Sequence, residues 1–401
     1  MGAVGLFVLS SRIWLRDYNK IVTSRLNRSL GILTILLIVS CIFAEYPKEA
    51  WLGLANLVPF FWLFVALKEL IDRPAKLIQL SWILILPSLP IVVLGLAQLY
   101  LGWDTPTLLE SVLGWELVPQ GVPTGRMSSV FIYTNFLAVY LTIAFTLTLG
   151  LWLETWQSIK QKSSPHRNQI LLVLTAILIA DITGLVLTSS RNAWGLAVIS
   201  FMAFALFMGW RWLIWAITGV ATAILWASFM PNFGGMQLRR VVPAFFWARL
   251  SDQIYDRPVE TLRITQWQFC LDLIKERPLF GWGLRNFSPL YEAKMNYWFG
   301  HPHSLYLMLA AETGLIATLL IMAVVGYIVY RAFILLKNWR FHSSKLIYFS
   351  YVIVFVCCIL FNLSDVTIFD LRVNTIIWII LAAVSGIALS TNNAIDENSN
   401  C

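Results

Sequence analysis

The sequence predicts an all-α, polytopic integral membrane protein, and three observations predict it. Only 12% of the 401 residues are charged and 59% are hydrophobic, whereas a soluble domain is about one quarter charged. Apolar stretches long enough to cross a bilayer recur along the chain. Basic residues concentrate in alternate connections between these stretches. We therefore expect roughly 10–12 transmembrane helices with a large helical loop outside the cytoplasmic membrane, and we exclude soluble, disordered, collagen-like and disulfide-scaffold proteins.

The predicted spans follow from apolar runs that reach, or nearly reach, the length of about 20 residues needed for a helix to cross hydrocarbon. In chain order they are residues 29–44, 50–67, 77–101, 129–153, 169–188, 192–210, 212–230, 312–336, 346–363 and 371–390. Residues 1–28 hold a short apolar run followed by Arg12 and Arg16. This run lacks a basic start and a clear cleavage site, so we expect an interfacial helix there.

Basic residues predict the orientation of the spans. They cluster before the first span and after the second, fourth and eighth spans, as at Arg25, Lys68, Lys160 and Lys337. An even number of spans with both termini cytoplasmic places all of these clusters inside. The net charge of +8 therefore indicates membrane orientation, and we expect no nucleic acid partner.

The longest polar interruption divides the chain into three segments. These are the N-terminal helices (1–230), a large outer loop (231–302) and the C-terminal helices (303–401). In the loop, Pro258 predicts the start of a helix that continues to Arg277, with Arg263, Trp267, Leu271 and Ile274 on one face. From His303 to Leu336, Gly314 alone breaks the helical pattern, and a helix of that length measures about 50 Å. Its first turns therefore stand outside the bilayer.

Several polar side chains are expected on the outer side. Arg126 opens the fourth span, Arg191 lies between the fifth and sixth spans, Arg263 lies in the large loop, and His303 introduces the long helix. Arginine suits phosphate oxygens, and histidine can take a proton from a hydroxyl near neutral pH. The pattern predicts a site for a phosphorylated lipid donor and a hydroxyl acceptor. Each residue also has a simpler interpretation, as a headgroup contact, a solvated charge or a helix cap.

Three further positions carry open alternatives. His301 and His303 resemble a metal pair, but Pro302 predicts an extended path that directs their side chains to opposite faces, so we expect no metal. Asp181 lies inside a span, where it can pair with Arg191 or line a polar cavity. Asp365, with Asp370 and Arg372, can close the same site or form a salt-bridged rim.

Five motifs together resemble the O-antigen ligase and polymerase superfamily of bacterial membrane glycosyltransferases, over roughly residues 30–390. They are GRMSSVFIYTNFLA (125–138), SSRNAW (189–194), RITQW (263–267), RPLFGWGLRNF (277–287) and HPHSLYLMLAAETGL (301–315). Ligases of this superfamily carry His, then Asn, Ser or Gln, then nine intervening residues, a Gly, two further residues, and Gly, Thr or Tyr. Here His303, Ser304 and Gly314 match, but the last position is Ala317, which leaves ligase and polymerase open.

The resemblance implies transfer of a glycan from an undecaprenyl-pyrophosphate carrier to a lipid or glycan acceptor hydroxyl, with inversion. It implies a multi-pass protein of the bacterial inner membrane whose active site faces the periplasm. His303 matches the proposed base, and Arg191 and Arg263 match the pyrophosphate-binding arginines, with Arg126 as a further candidate. Asp181, Asp365, His301 and Arg285 are possible supporting residues. No acidic pair two residues apart occurs in the chain, so we expect neither a metal nor another cofactor.

Two functions of other classes stay open. A transporter of inorganic carbon or another solute would show internal repeats and polar groups at the bilayer midplane, and the sequence shows no repeat between its halves. A binding or scaffold protein would use its aromatic residues for contacts alone. Among the 19 tryptophans, Trp267 and Trp282 are the candidates for stacking on a sugar.

Overall fold

The computed structural model describes residues 2–161, 164–251, 259–339, 341 and 344–399, and within these residues the regular structure is helical throughout. The all-α prediction is therefore confirmed. In chain order the α-helices are α1 (Gly2–Arg16), α2 (Tyr18–Thr23), α3 (Arg25–Ile42), α4 (Pro47–Gly53), α5 (Val58–Leu70), α6 (Pro74–Ile85), α7 (Ser88–Tyr100), α8 (Thr107–Leu113), α9 (Thr134–Gln161), α10 (Pro165–Leu187), α11 (Arg191–Phe207), α12 (Arg211–Phe229), α13 (Met236–Leu238), α14 (Ala244–Leu250), α15 (Arg263–Glu276), α16 (Phe287–Met295), α17 (Leu305–Lys337), α18 (Lys345–Phe361) and α19 (Leu371–Ser399).

Each of the ten predicted spans corresponds to a helical segment. In the described residues, eight segments are long and apolar enough to cross a membrane: Arg25–Ile42, Pro47–Leu70, Pro74–Tyr100, Thr134–Lys160, Pro165–Leu187, Arg211–Phe229, Leu305–Lys337 and Leu371–Leu389. Two shorter apolar helices, Arg191–Phe207 and Lys345–Phe361, have 17 residues each. That length is at the lower limit for a transmembrane helix. The protein is a polytopic membrane protein.

The chain forms two compact units. The first contains Met1–Ser81 and Val259–Cys401, and the second contains Trp82–Pro258. In the first unit α17 packs against α3 and α19, and α19 packs against α5. In the second unit α9 is central. In its apolar 18-residue stretch, 89% of the residues are buried, and the helix packs against α10 and α11. The outer loop predicted from the sequence contributes to both units, with residues 231–258 in the second and residues 259–302 in the first.

The N-terminal helix packs within the first unit. Trp14 of α1 stacks on Trp62 of α5 with ring centroids 4.2 Å apart, and its indole N–H donates to the Trp62 carbonyl. Val4, Phe7 and Leu15 of the same helix are exposed. The interfacial interpretation requires a helix with such an unburied apolar side, and that interpretation stays a prediction.

Helix α17 is interrupted at Gly314, which has φ 79° and ψ 168°. Any Cβ at this position would overlap the Leu279 carbonyl, so glycine is required by the close approach and by the positive φ. The segment 278–283 enters the interruption and satisfies the freed backbone groups. Leu315 N–H donates to Pro278 O, Trp282 N–H to Ala311 O and Gly283 N–H to Glu312 O. The long helix expected from the sequence therefore consists of two helical parts joined at Gly314.

Helix α15 begins later than the sequence predicts. Pro258 lies outside the described residues, and a short 3₁₀ turn at Val259–Thr261 precedes the helix. Leu262 has φ −73° and ψ 134°, an extended conformation that ends the turn, so the helix starts at Arg263. Its buried side contains Gln266, Phe269, Cys270 and Leu273, which places Arg263 and Trp267 beside the buried face.

Candidate active site

The segment His301–Ser304 leads into α17 and bends back on itself. His303 has φ 51°, a left-handed conformation that is uncommon for a residue with a side chain. Ser304 is the N-cap of α17, and its hydroxyl accepts from Leu307 N–H. Because of this bend, the two imidazole rings meet edge to face with centroids 4.7 Å apart.

Asp365 joins the two histidines. Its Oδ1 lies 3.3 Å from Nδ1 of His303 and 3.9 Å from Nε2 of His301. The His303 backbone N–H donates to Nδ1 of His301, so the neutral His301 ring carries its proton on Nε2. A neutral His303 that donates from Nδ1 to Asp365 leaves Nε2 as a proton acceptor. Asp365, a supporting candidate in the sequence, is thus in direct contact with the proposed base.

The loop that carries Asp365 is fixed against the start of α17. Leu305 N–H donates to Asn362 O, and the Asn362 side chain accepts from the backbone and hydroxyl of Thr367. Val366 N–H donates to Asp365 Oδ1. Val366 and Ile368 pack on Met308 of α17. These contacts hold the carboxylate in place beside His303.

The burial of His301 and Asp365 and the charges around them determine their protonation states. Burial lowers the pKa of His301 to about 4; the charges of His303 and Arg263 act in the same direction, and Asp365 opposes them. His301 is therefore neutral near pH 7. Burial also disfavours the ionised form of Asp365, but the hydrogen bond with His303 and the charges of both histidines outweigh it and lower its pKa. Asp365 is accordingly a carboxylate.

The geometry corrects one expectation drawn from the sequence. The side chains of His301 and His303 do not point to opposite faces, because the left-handed φ of His303 brings both rings to the same carboxylate. One ligand atom from each of His301, His303 and Asp365 lies within 4.8 Å of the others. Imidazole nitrogens and a carboxylate oxygen are ligands that a transition-metal ion can use. A metal at this cluster is therefore chemically feasible.

The second unit contains a group of arginines around the turn that joins α10 to α11. Arg126 donates from Nε to Thr188 O at 2.8 Å and from Nη2 to Asn135 Oδ1 at 3.3 Å. The hydroxyl of Thr134 also donates to Thr188 O, and Met127 N–H donates to Leu187 O. The motif at 125–138 is thus folded directly onto this turn.

The same turn is contacted from the other side by α14. Arg249 donates from Nε to Ser189 O at 3.2 Å, and Arg191 Nη1 lies 3.4 Å from Leu250 O. Ser189 has φ 50°, and Ser190 is the N-cap of α11 without a side-chain capping bond. Three guanidinium groups therefore surround the amino end of a helix. This is a favourable environment for an anion.

Arg249 is a residue that the sequence analysis missed. It lies in a short run of aromatic residues, AFFWARL, and was not among the candidates predicted from the sequence. Phe245 and Phe246 pack on Trp194 of α11 with centroids 5.4 and 5.3 Å apart. A single cation inside an aromatic run was the available signal, because such a run packs against a neighbouring helix and brings its charge with it.

Asp181 is completely buried in α10. Neither of its carboxylate oxygens makes a hydrogen bond in the described part of the chain. The pair with Arg191 that the sequence left open is therefore not formed. Ser88 and Tyr140 are the polar side chains near Asp181.

The remaining candidates of the first unit differ in their surroundings. Trp267 donates from its indole N–H to Pro302 O, beside the histidines. Trp282 donates to Leu273 O, and the guanidinium of Arg277 covers its ring at 3.8 Å. Arg285 pairs with Glu49. Trp267 is thus the better placed of the two stacking candidates.

Asp370 and Arg372 form the salt-bridged rim that the sequence considered for this loop. The Arg372 guanidinium lies 3.0 Å from the Asp370 carboxylate. Asp370 also caps α19, because its Oδ1 accepts from the backbone N–H groups of Arg372 and Val373. These two residues therefore stabilise the start of α19, whereas Asp365 contacts the histidines.

Comparison with known proteins supports the resemblance that the motifs indicate. The family model for O-antigen ligase matches residues 174–322, a stretch that begins in α10 and ends within α17 and includes Arg191, Arg249 and His303. No curated protein matches the sequence. The chain is therefore an integral membrane protein in which residues 174–322 are similar to the O-antigen ligase family.

Proposed function

We propose that this protein transfers a glycan from an undecaprenyl-pyrophosphate carrier to a hydroxyl group of a lipid or glycan acceptor at the periplasmic face of the inner membrane. His303 removes the acceptor proton, and the acceptor oxygen attacks the anomeric carbon. The bond from that carbon to the pyrophosphate oxygen breaks, and its electron pair leaves with undecaprenyl pyrophosphate. Attack opposite the leaving group inverts the anomeric centre.

The contact between His303 and Asp365 carries this proposal. Nδ1 of His303 lies 3.3 Å from the Asp365 carboxylate, which fixes the ring and favours the tautomer whose Nε2 accepts a proton. The carboxylate also stabilises the imidazolium that forms when the proton is taken. A histidine placed in this way is a general base for a hydroxyl group near neutral pH. Asp365 acts here as a positioning residue.

The arginines of the second unit supply the pyrophosphate contacts in this proposal. Arg126, Arg191 and Arg249 are held at the amino end of α11 by protein oxygens, and each guanidinium is a permanent cation that suits phosphate oxygens. Charge accumulates on the pyrophosphate as the glycosidic bond breaks, so these donors bind the transition state more strongly than the ground state. Arg263, which begins α15 near His301 in the first unit, is the fourth candidate.

The test is glycan transfer by the purified protein in nanodiscs. The donor is an undecaprenyl-pyrophosphate oligosaccharide, the acceptors are a panel of lipid and glycan hydroxyls, and EDTA is present. We expect transfer by the wild type that persists in EDTA and is lost in His303→Ala and Arg191→Ala. His166→Ala and Arg211→Ala are matched controls outside the site and retain transfer.

Each alternative has its own outcome in this assay. A ladder of products from the donor alone identifies a polymerase, and a single addition to an acceptor identifies a ligase. Loss of wild-type transfer in EDTA with recovery on adding Zn²⁺ would assign a metal role to His301, His303 and Asp365 and contradict the metal-independent mechanism. No transfer to any acceptor, together with solute flux into liposomes, would establish the transporter instead.

A further inference from the structure

A cavity of about 620 Å³ lies in the first unit, within the range of small-molecule sites. Its residues come from the α2–α3 junction, the end of α5, the second part of α17, and α19. They are Lys20, Thr23, Ser24, Arg25, Leu26, Ser29, Lys68, Glu69, Asp72, Leu320, Ala323, Val324, Tyr327, Arg331, Gly386 and Leu389. Arg331 is about 25 residues beyond the start of α17, which is on the order of 40 Å of helix. The cavity and His303 are thus at opposite ends of α17.

The cavity has an excess of positive charge. Four cationic and two anionic side chains line it. The two anionic side chains already have lysine partners: Glu69 pairs with Lys20 at 2.6 Å and with Lys68 at 3.3 Å, and Asp72 pairs with Lys76 at 2.8 Å. Arg25 and Arg331 form no ion pair with a carboxylate among the residues that the structure describes. Arg331 donates to the hydroxyl of Tyr327.

The backbone adds to this positive field. The cavity includes the amino end of α3, a helix of 18 residues. Ser24 is its N-cap, and the Ser24 side chain makes no capping hydrogen bond. The unpaired amides of a first helical turn attract anions. The helix end and two arginines therefore line the same cavity.

The cavity also has an apolar wall, which continues into an exposed apolar surface of α17. Leu320, Ala323, Val324 and Leu389 form this wall. Leu319, Met322 and Tyr330, which flank it on α17, are 61%, 47% and 62% exposed. A crevice that served only to hydrate charges would not need such a wall. An amphiphile with an anionic head and hydrocarbon chains matches both the cationic and the apolar residues of the lining.

We propose that this cavity binds an anionic glycerophospholipid of the cytoplasmic leaflet. Its phosphate lies between Arg25 and Arg331 at the amino end of α3, and its acyl chains follow the apolar wall of α17. The residues belong to the basic end of the helices, which the charge pattern predicts to be cytoplasmic. Basic pockets between transmembrane helices on that side bind anionic lipid headgroups. This site is independent of the proposed glycan chemistry.

Native mass spectrometry of the delipidated protein tests the proposal, with dioleoyl phosphatidylglycerol as the probe. We expect one tightly retained lipid per wild-type protein. The double variant Arg25→Gln/Arg331→Gln should bind it about 25-fold more weakly, since each basic residue contributes about a fivefold gain near an anionic lipid. The control Arg12→Gln/Lys337→Gln removes the same charge outside the cavity and should bind like the wild type.

A second variant tests the apolar wall with every charge retained. Ala323 is exposed on α17, so Ala323→Trp fills the cavity without disturbing a buried contact, and it should also lose the lipid. Gel filtration and circular dichroism verify that each variant is folded. Unchanged binding in both folded variants would overturn the proposal.

Two further ligands separate the possible sources of the phosphate. Dioleoyl phosphatidylcholine carries the same chains and a phosphate without net charge, and binding as tight as that of the anionic lipid would contradict the assignment. Displacement of the bound lipid by millimolar inorganic phosphate would show that the site takes free phosphate and would overturn the lipid assignment. We expect neither.

Discussion

The two groups of candidate residues differ in how the protein holds them. The His303 ring of the first unit is oriented by a side-chain hydrogen bond to Asp365, and the loop of Asp365 is anchored by Asn362. Arg126 and Arg249 of the second unit donate to the backbone carbonyls of Thr188 and Ser189. A general base needs one defined lone pair, whereas an anion site needs many donors in a fixed field. The difference teaches that the orientation of His303 depends on one carboxylate, whereas the arginines share several acceptors around the start of α11.

The largest effect is expected from a substitution that breaks the hydrogen bond between His303 and Asp365. Asp365→Asn removes the carboxylate that orients His303 and stabilises its imidazolium, and we expect turnover to fall about 10⁴-fold, by analogy with the same substitution beside the histidine base of a serine protease. The KM for the lipid-linked donor should change little. Glycan transfer by purified protein measures both quantities.

Asp370→Asn is the matched control for this change, because Asp370 lies in the same loop but pairs with Arg372. It should leave turnover nearly unchanged in protein that is folded. Equal losses in the two variants would mean that the loop acts only through its stability.

The second prediction concerns the arginines around the start of α11. Arg249→Ala should lower turnover about 10²-fold, since removal of one donor to a developing charge has costs of this order. Added pyrophosphate should also inhibit the variant less strongly than it inhibits the wild type. Arg249→Lys retains the charge and should recover part of the loss.

Arg240→Ala is the control for Arg249, because Arg240 is an exposed cation of the same loop. Transfer by this variant should match that of the wild type. A loss as large as that of Arg249→Ala would indicate a general effect of loop charge and would remove the specific role of the turn.

The smallest effect is on stability and belongs to His301. Burial lowers its pKa from 6.5 to about 4, so the unfolded chain binds a proton between these values and the folded protein does not. Stability therefore falls as the pH falls from about 6.5 towards 4, by about 1 kcal/mol at pH 5.5. The lowered pKa of Asp365 affects stability only below this pH range, near the ordinary aspartate value of 3.8.

Thermal unfolding in detergent at pH 7.5 and 5.5 measures this contribution. The wild type should lose a few degrees more than His301→Gln between the two pH values. His166→Gln, which changes a histidine at the start of α10, should behave like the wild type. Identical losses in wild type and His301→Gln would contradict the assignment.

The spans could be predicted because length and apolarity are local properties of the sequence. The site could be predicted only in part. The bend at His303 depends on a positive φ, which cannot be predicted from the spacing of residues in the sequence. The side chains of His301 and His303 were therefore expected to point in opposite directions. The partner of His303 lies 62 residues further along the chain, and Arg249 lies 60 residues from the carbonyl it contacts. Such contacts are decided by tertiary packing.

Because α17 is interrupted at Gly314, the direction in which the His303 side chain points does not depend on how the membrane-spanning part of α17 is rotated about its axis. In a continuous helix, one inserted residue turns everything beyond it by about 100°. Here residues 278–283 are bonded to Ala311 and Glu312 before Gly314 and to Leu315 directly after it, so they fix the orientation of this end of α17. The spanning part can therefore gain or lose residues to suit bilayers of different thickness. The histidine keeps its direction while the length of the membrane helix is free to evolve.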